Sequence, residues 1–93
     1  MKAAPHRFRG TVRYFRPEKA SGLAVIDLPA NVRDALGGLK QMKVVGTINT
    51  VEFRSNTMPA GGGVLALSVS KALLSAARLE VGDTAEVEIA PAP

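Results

Sequence analysis

The 93 residues predict a mainly-β chain: a small closed six-stranded barrel made from a duplicated β-β-α-β unit, with two short helices. Three observations point there. Apolar and polar residues alternate from Arg7 to Phe15, the period of a half-buried strand. The two halves echo each other at an offset of 41 residues, with Gly22 falling on Gly63, Val32 on Leu73 and Ile48 on Ile89. Each half also has room for one short helix, too little to cover both faces of an open sheet, and closure removes the exposed edges.

The elements follow in order. In the first strand Phe8, Gly10, Val12 and Tyr14 share the inward face, and Arg7, Arg9, Thr11 and Arg13 the outward one; Phe15 has outward parity. Pro17 to Gly22 reads as a turn, and Leu23 to Leu28 as a second strand ended by Pro29. Proline suits a helix start, where its missing N–H has no partner to lose. Val32, Ala35 and Leu36 then mark one apolar helical face, stopped by Gly37-Gly38. Lys43 to Ile48 and Val51 to Arg54 are strands joined at Asn49-Thr50, where Thr50 argues against a type I′ turn. Ser55 to Gly63 reads as a long loop, and Val64 to Val69 as a fifth strand. Ser70 is placed to cap a helix from Lys71 to Arg78 that buries Leu73, Ala76 and Ala77. Val81-Gly82-Asp83 turns the chain into a last strand, Thr84 to Ile89. The expected organisation is one domain over residues 1–93, with flexible ends at 1–6 and 90–93 and repeat halves of about 7–48 and 49–89.

Composition narrows the chemistry. The apolar share is 46%, dominated by alanine and valine, which suits a thin, tightly packed interior. Cysteine is absent, which removes disulfides, thiolate nucleophiles and thiolate-bound zinc. One histidine, His6, stands in the leading segment, and no Ser–His, Cys–His or paired-carboxylate arrangement stands out. The expectation is a non-enzymatic protein with no cofactor and no metal. The N-terminus lacks the apolar stretch of a signal peptide, and no apolar run reaches the length of a membrane span, so a cytoplasmic protein of bacterial type is expected. Formal net charge is +4, unevenly spread: residues 1–19 carry +5 and residues 55–93 carry −2.

Lys43-Val44-Val45-Gly46-Thr47-Ile48-Asn49, the glycine run Gly61-Gly62-Gly63, and Val81-Gly82-Asp83 come in a recognisable order. From Phe8 to Ile89 the chain resembles a bacterial family known only as a domain of unknown function, number nineteen-oh-five. The resemblance implies a small closed six-stranded barrel and no established activity. Thr50 departs from the family pattern, which often has glycine there. Val-Gly-Asp also looks like the "GD box" of cradle-loop barrels, some of which bind DNA; the first half has Gln41-Met42 in its place.

Two sets of residues are candidates for binding. Arg54, Ser55, Asn56 and Lys71 cluster around the Gly-rich connection and the second helix, and form a candidate site for a small anionic ligand. That connection enters a strand rather than a helix, so it is read as a hairpin and not as a phosphate loop. Arg7, Arg9, Arg13 and Arg16 form a basic stripe that could contact nucleic-acid phosphates. The plainer reading pairs that stripe with Glu86 and Glu88, which share one face of the last strand and lie opposite it if the barrel closes. Asp27 and Asp83 read as turn or capping residues. The favoured function is a ligand- or protein-binding module, with nucleic-acid binding through the arginine strand as the alternative; no membrane partner is expected.

Overall fold

The computed structural model describes residues 5–16, 22–37 and 41–92. The elements run β1 (His6–Tyr14), β2 (Ala24–Asp27), α1 (Ala30–Ala35), β3 (Lys43–Ile48), β4 (Val51–Pro59), β5 (Leu65–Val69), α2 (Lys71–Ala76) and β6 (Thr84–Pro91). All six strands close into one antiparallel barrel in the order β1-β2-β5-β4-β3-β6. The expected mainly-β, six-stranded barrel with two short helices is therefore the fold.

Closure depends on two strands that change partners midway. β1 pairs with β6 over His6–Thr11 and with β2 over Val12–Tyr14. β4 pairs with β3 over Val51–Asn56 and with β5 over Thr57–Pro59. β4 is thus longer than the sequence reading allowed, since Ser55–Pro59 is strand and not loop. Its polar outward residues, Arg54 and Asn56, alternate with inward Phe53, Ser55 and Thr57, and that period-two pattern was hidden by the weak strand propensity of Ser and Asn. The remaining connection closes on backbone bonds between Ala60 and Val64, and Arg33 of α1 donates to the Gly63 carbonyl. The Gly-rich segment is a tethered hairpin.

The inward-facing residues make a single core in which Val12, Ile26, Val44, Ile48, Leu67, Val87 and Ile89 are fully or almost fully buried. α1 adds Val32 and Leu36, while Ala35 is exposed. α2 packs Leu73, Leu74 and Ala77 against the core and leaves Ala76 outside, one residue away from the expected face. Ser70 caps α2 as its sequence position predicts, accepting the Leu73 N–H at 3.1 Å. Gly46 marks the closest strand contact: a Cβ there would stand 1.8 Å from the Glu88 carbonyl oxygen. Asn49 and Thr50 both have positive φ, 46° and 71°, so the β3–β4 turn is of the primed type despite Thr50. His6 and Ala90–Pro91, read as end segments, belong to strands; residues 1–4 and 93, and most of the turn read at 17–22, lie outside the described residues.

Strand order and register are both unchanged when β1, β2, β3 are exchanged with β4, β5, β6. Helices Ala30–Ala35 and Lys71–Ala76 lie 41 residues apart, as do the starts of β2 and β5 and of β3 and β6. The first strands are offset by 45, because the β4–β5 connection is shorter than the β1–β2 connection. The pair His6↔Ile89 then corresponds to Val51↔Ile48, and Val12↔Ile26 to Thr57↔Leu67.

A β-branched residue held at positive φ is strained, and glycine relieves that strain while adding some freedom to the unfolded chain. Thr50→Gly is expected to raise stability by about 0.5–1 kcal/mol, a thermal midpoint shift of several degrees for a domain of this size. Gly46→Ala is expected to abolish the folded barrel, read as loss of the cooperative thermal transition in circular dichroism.

Candidate binding site on the outer face of β4

Pairing of β1 with β6 sets Arg7 opposite Glu88 and Arg9 opposite Glu86. Both form ion pairs, Arg7 Nε to Glu88 Oε1 at 2.5 Å and Arg9 Nη2 to Glu86 Oε1 at 2.9 Å. Thr47 Oγ1 also donates to Glu88, at 3.3 Å. Arg13 breaks from this pattern. It lies beyond the point where β1 turns to β2, and it grips Asp27 through both carboxylate oxygens at 2.9 and 2.8 Å. Its Nη1 adds bonds to the carbonyls of Tyr14 and Phe15. Asp27 is therefore an ion-pair partner and not a cap, and the expected match of the arginine stripe to Glu86 and Glu88 holds for two of its members. Hydrogen bonding to the Asp27 carboxylate, reinforced by its charge, raises the Arg13 guanidinium above its ordinary range. A raised arginine pKa gives stability that is fully present below the unfolded value and lost only above it, so the arginine side of this pair does not titrate in ordinary buffers. Arg16 is exposed and makes no ion pair among the described residues.

The Val-Gly-Asp turn has a structural task. Val12 N–H donates to the Asp83 carbonyl and the Gly82 N–H donates to the Val12 carbonyl, fastening the turn to β1 where that strand changes partner. Asp83 Oδ2 accepts the Glu80 N–H at 2.9 Å. In the other half, Thr57 stands where Val12 does. Its N–H donates to the Met42 carbonyl, and its fully buried hydroxyl accepts the Met42 N–H. A threonine side chain thus completes the junction where the sequence has Gln41-Met42 instead of Gly-Asp.

On the outer face of the β3–β4 pair, Lys43 stands opposite Asn56, Val45 opposite Arg54 and Thr47 opposite Glu52. A groove of about 210 Å³ lies here, lined by Lys43, Val45, Arg54, Ser55 and Asn56. A second groove of about 330 Å³ runs on the other side, between β4 and α2, lined by Phe53, Arg54, Ser70, Leu73 and Ala76 among others. Arg54 borders both. Ser55 points inward between them, and its hydroxyl donates to the Ser68 carbonyl. Of the four residues proposed as a ligand site, Arg54, Ser55 and Asn56 come together; Lys71 opens α2, exposed, and lines neither groove. Lys43 was missed, and its outward parity opposite Asn56 is the signal that would have found it. A further groove of about 450 Å³ is lined by Arg7, Arg9, Glu86 and Glu88, whose charges are already paired with one another.

Residues 8–89 match the family described as Domain of unknown function (DUF1905). The chain belongs to that family. The match covers β1 almost from its start and all of β2 to β5 with both helices, ending inside β6, so the DUF1905 unit includes both halves of the barrel. No curated protein matches the chain. Among the described residues, no helix is long and apolar enough to cross a membrane, and no cluster of three His, Cys, Asp or Glu side chains could hold a metal ion.

Symmetry supplies an internal comparison for this DUF1905 barrel. Arg9 and Arg54 occupy corresponding positions, and so do their cross-strand neighbours Glu86 and Val45. Arg9 is neutralised by Glu86; Arg54 faces a valine and makes no ion pair among the described residues. Gly10 corresponds to Ser55: a Cβ at Gly10 would fall 2.3 Å from Ile26 Cγ2, whereas the second half accommodates a serine at that place.

Exposed ion pairs contribute little and are screened by salt, while a bidentate, half-buried pair contributes more. Arg13→Ala is expected to lower unfolding free energy by about 1 kcal/mol in urea denaturation, with most of the loss persisting in 1 M salt. Arg7→Ala and Arg9→Ala are expected to give smaller losses that disappear in 1 M salt.

Proposed function

We propose that this DUF1905 barrel is a non-enzymatic binding module for a small anion, held at Arg54 on the outer face of β4. One observation carries the reading: Arg54 is the symmetry counterpart of an arginine that is neutralised by a glutamate, yet its own cross-strand neighbour is Val45. An unpaired guanidinium keeps its fork of donors available for a carboxylate or phosphate oxygen pair. Lys43 is a diagonal neighbour on the same face and adds positive charge, and Asn56 offers an amide donor. Ser55 contributes by fixing the strand, since its hydroxyl is committed to Ser68. The rigid sheet holds these groups in place, but the site is open to solvent, so the affinity expected for a bare anion is millimolar, about −4 kcal/mol. The arginine strand offers less to a polyanion, because Arg7, Arg9 and Arg13 are each engaged by a carboxylate. A cytoplasmic location agrees with this reading, which needs no membrane.

The test uses the molecule's own symmetry. Acetate titrated into the labelled protein is expected to shift the Arg54 and Asn56 amide resonances. Val45→Glu, which recreates the Arg9–Glu86 arrangement across from Arg54, is expected to abolish that response without lowering the thermal midpoint. Glu86→Val is expected to make Arg9 responsive in turn. An unchanged acetate response in Arg54→Ala would sink the reading.

A further inference from the structure

We infer that the ligand of this site is an amphipathic monocarboxylate, with its carboxylate at Arg54 and its apolar chain lying in the groove between β4 and α2. The inference rests on the anion-binding reading above and adds the class of ligand and the side of β4 on which it lies.

The two grooves that meet at Arg54 differ in size and in where their apolar surface comes from. The one toward β3, about 210 Å³, sets Lys43 and Asn56 beside Val45 and Ala92, with Val44 below them buried in the core. The one toward α2 combines Arg54 with the apolar surfaces of Phe53, Leu73, Ala72 and Ala76. Leu73 is only partly covered by the core it packs against, and Ala72 and Ala76 are exposed, so part of this wall faces solvent in the free protein. Burying apolar surface there adds a driving force that an exposed ion pair alone lacks. The polar groups of the groove discriminate in the same direction. Ser70 accepts the Leu73 N–H, which leaves its hydroxyl hydrogen free to donate. Arg54 and Ser70 thus both present donors, suited to a carboxylate, which only accepts. Glu52 lines the same groove, so a second negative charge on the ligand is disfavoured and a monoanion preferred over phosphate dianions or nucleotides. The volume of about 330 Å³ accommodates roughly ten water-sized groups, enough for a short chain or a single ring.

The experiment titrates acetate, butyrate, hexanoate and inorganic phosphate separately into the labelled full chain, following amide resonances, with hexanol as the uncharged control. Affinity is expected to rise with chain length, by up to about fourfold per methylene buried. Hexanoate is expected to shift Arg54, Ser70, Leu73 and Ala76 together, and to bind at least tenfold more tightly than hexanol. Ala76→Gln, which adds bulk and polarity but no charge to the groove wall, is expected to reduce the chain-length gain, and Arg54→Ala to remove the response to acetate and hexanoate alike. Equal affinity for acetate and hexanoate, or hexanoate shifts confined to Arg54, Lys43 and Asn56, would overturn the ligand class and leave the anion-binding reading standing. Absence of any Arg54 response to all four anions would overturn both.

Discussion

Everything in this molecule depends on closing the sheet. Six strands leave no free edge only if β1 and β4 each serve two neighbours in succession, and both make the change at one residue, Val12 in the first half and Thr57 in the second. At that residue the backbone must find partners that neither strand ladder supplies. The turn at Gly82-Asp83 provides them for Val12; at Thr57 the Met42 carbonyl accepts the backbone N–H, and the Thr57 hydroxyl accepts the Met42 N–H. An unsatisfied buried amide costs as much as several surface contacts contribute, so these two junctions are the places where the fold is most narrowly specified. The narrow interior follows from the same closure. It is filled by valine, isoleucine, leucine and alanine with Phe53, and demands glycine where Gly46 of β3 passes the Glu88 carbonyl of β6.

Closure also disposes of the charge imbalance. The basic first strand and the acidic last strand become neighbours, so Arg7 and Arg9 of the basic leading segment are matched within the barrel by Glu88 and Glu86. Among the described residues, the charged groups of β3 and β4 that make no ion pair are Lys43, Arg54 and Glu52, all on the outer face. Net charge alone does not separate paired from unpaired cations. The register does, by showing which of them have neutral cross-strand neighbours.

The fold was legible in the sequence because closure leaves a periodic signature. β1 alternates strictly, each half carries the same run of strands around one short helix, and Ser70 stands where α2 needs a cap. The errors have local causes. The sequence reading ends β4 early because Ser55, Asn56 and Pro59 look like turn residues; Ser55 and Asn56 stand where β4 leaves β3 for β5, and Pro59 is the last residue of the strand. Thr50 argued against the primed turn that the barrel imposes, a case of tertiary structure overriding local preference. Of the proposed site, Arg54, Ser55 and Asn56 stand together already in the sequence. Lys43 does not, since its neighbour across the strand pair is 13 residues away, and the ion pair of Asp27 is hidden because its partner Arg13 lies beyond an intervening turn.

The symmetric halves also bear on the proposed binding role. They differ in whether a guanidinium is neutralised, at Arg9, or left without an ion pair among the described residues, at Arg54. Substituting valine for an acid beside an arginine does little for stability on an exposed sheet face, because the lost ion pair is weak and valine suits a strand. It does change what the surface can hold. A scaffold whose two halves share one register can therefore keep its first half for closure and expose a cation in its second, at almost no cost to the fold.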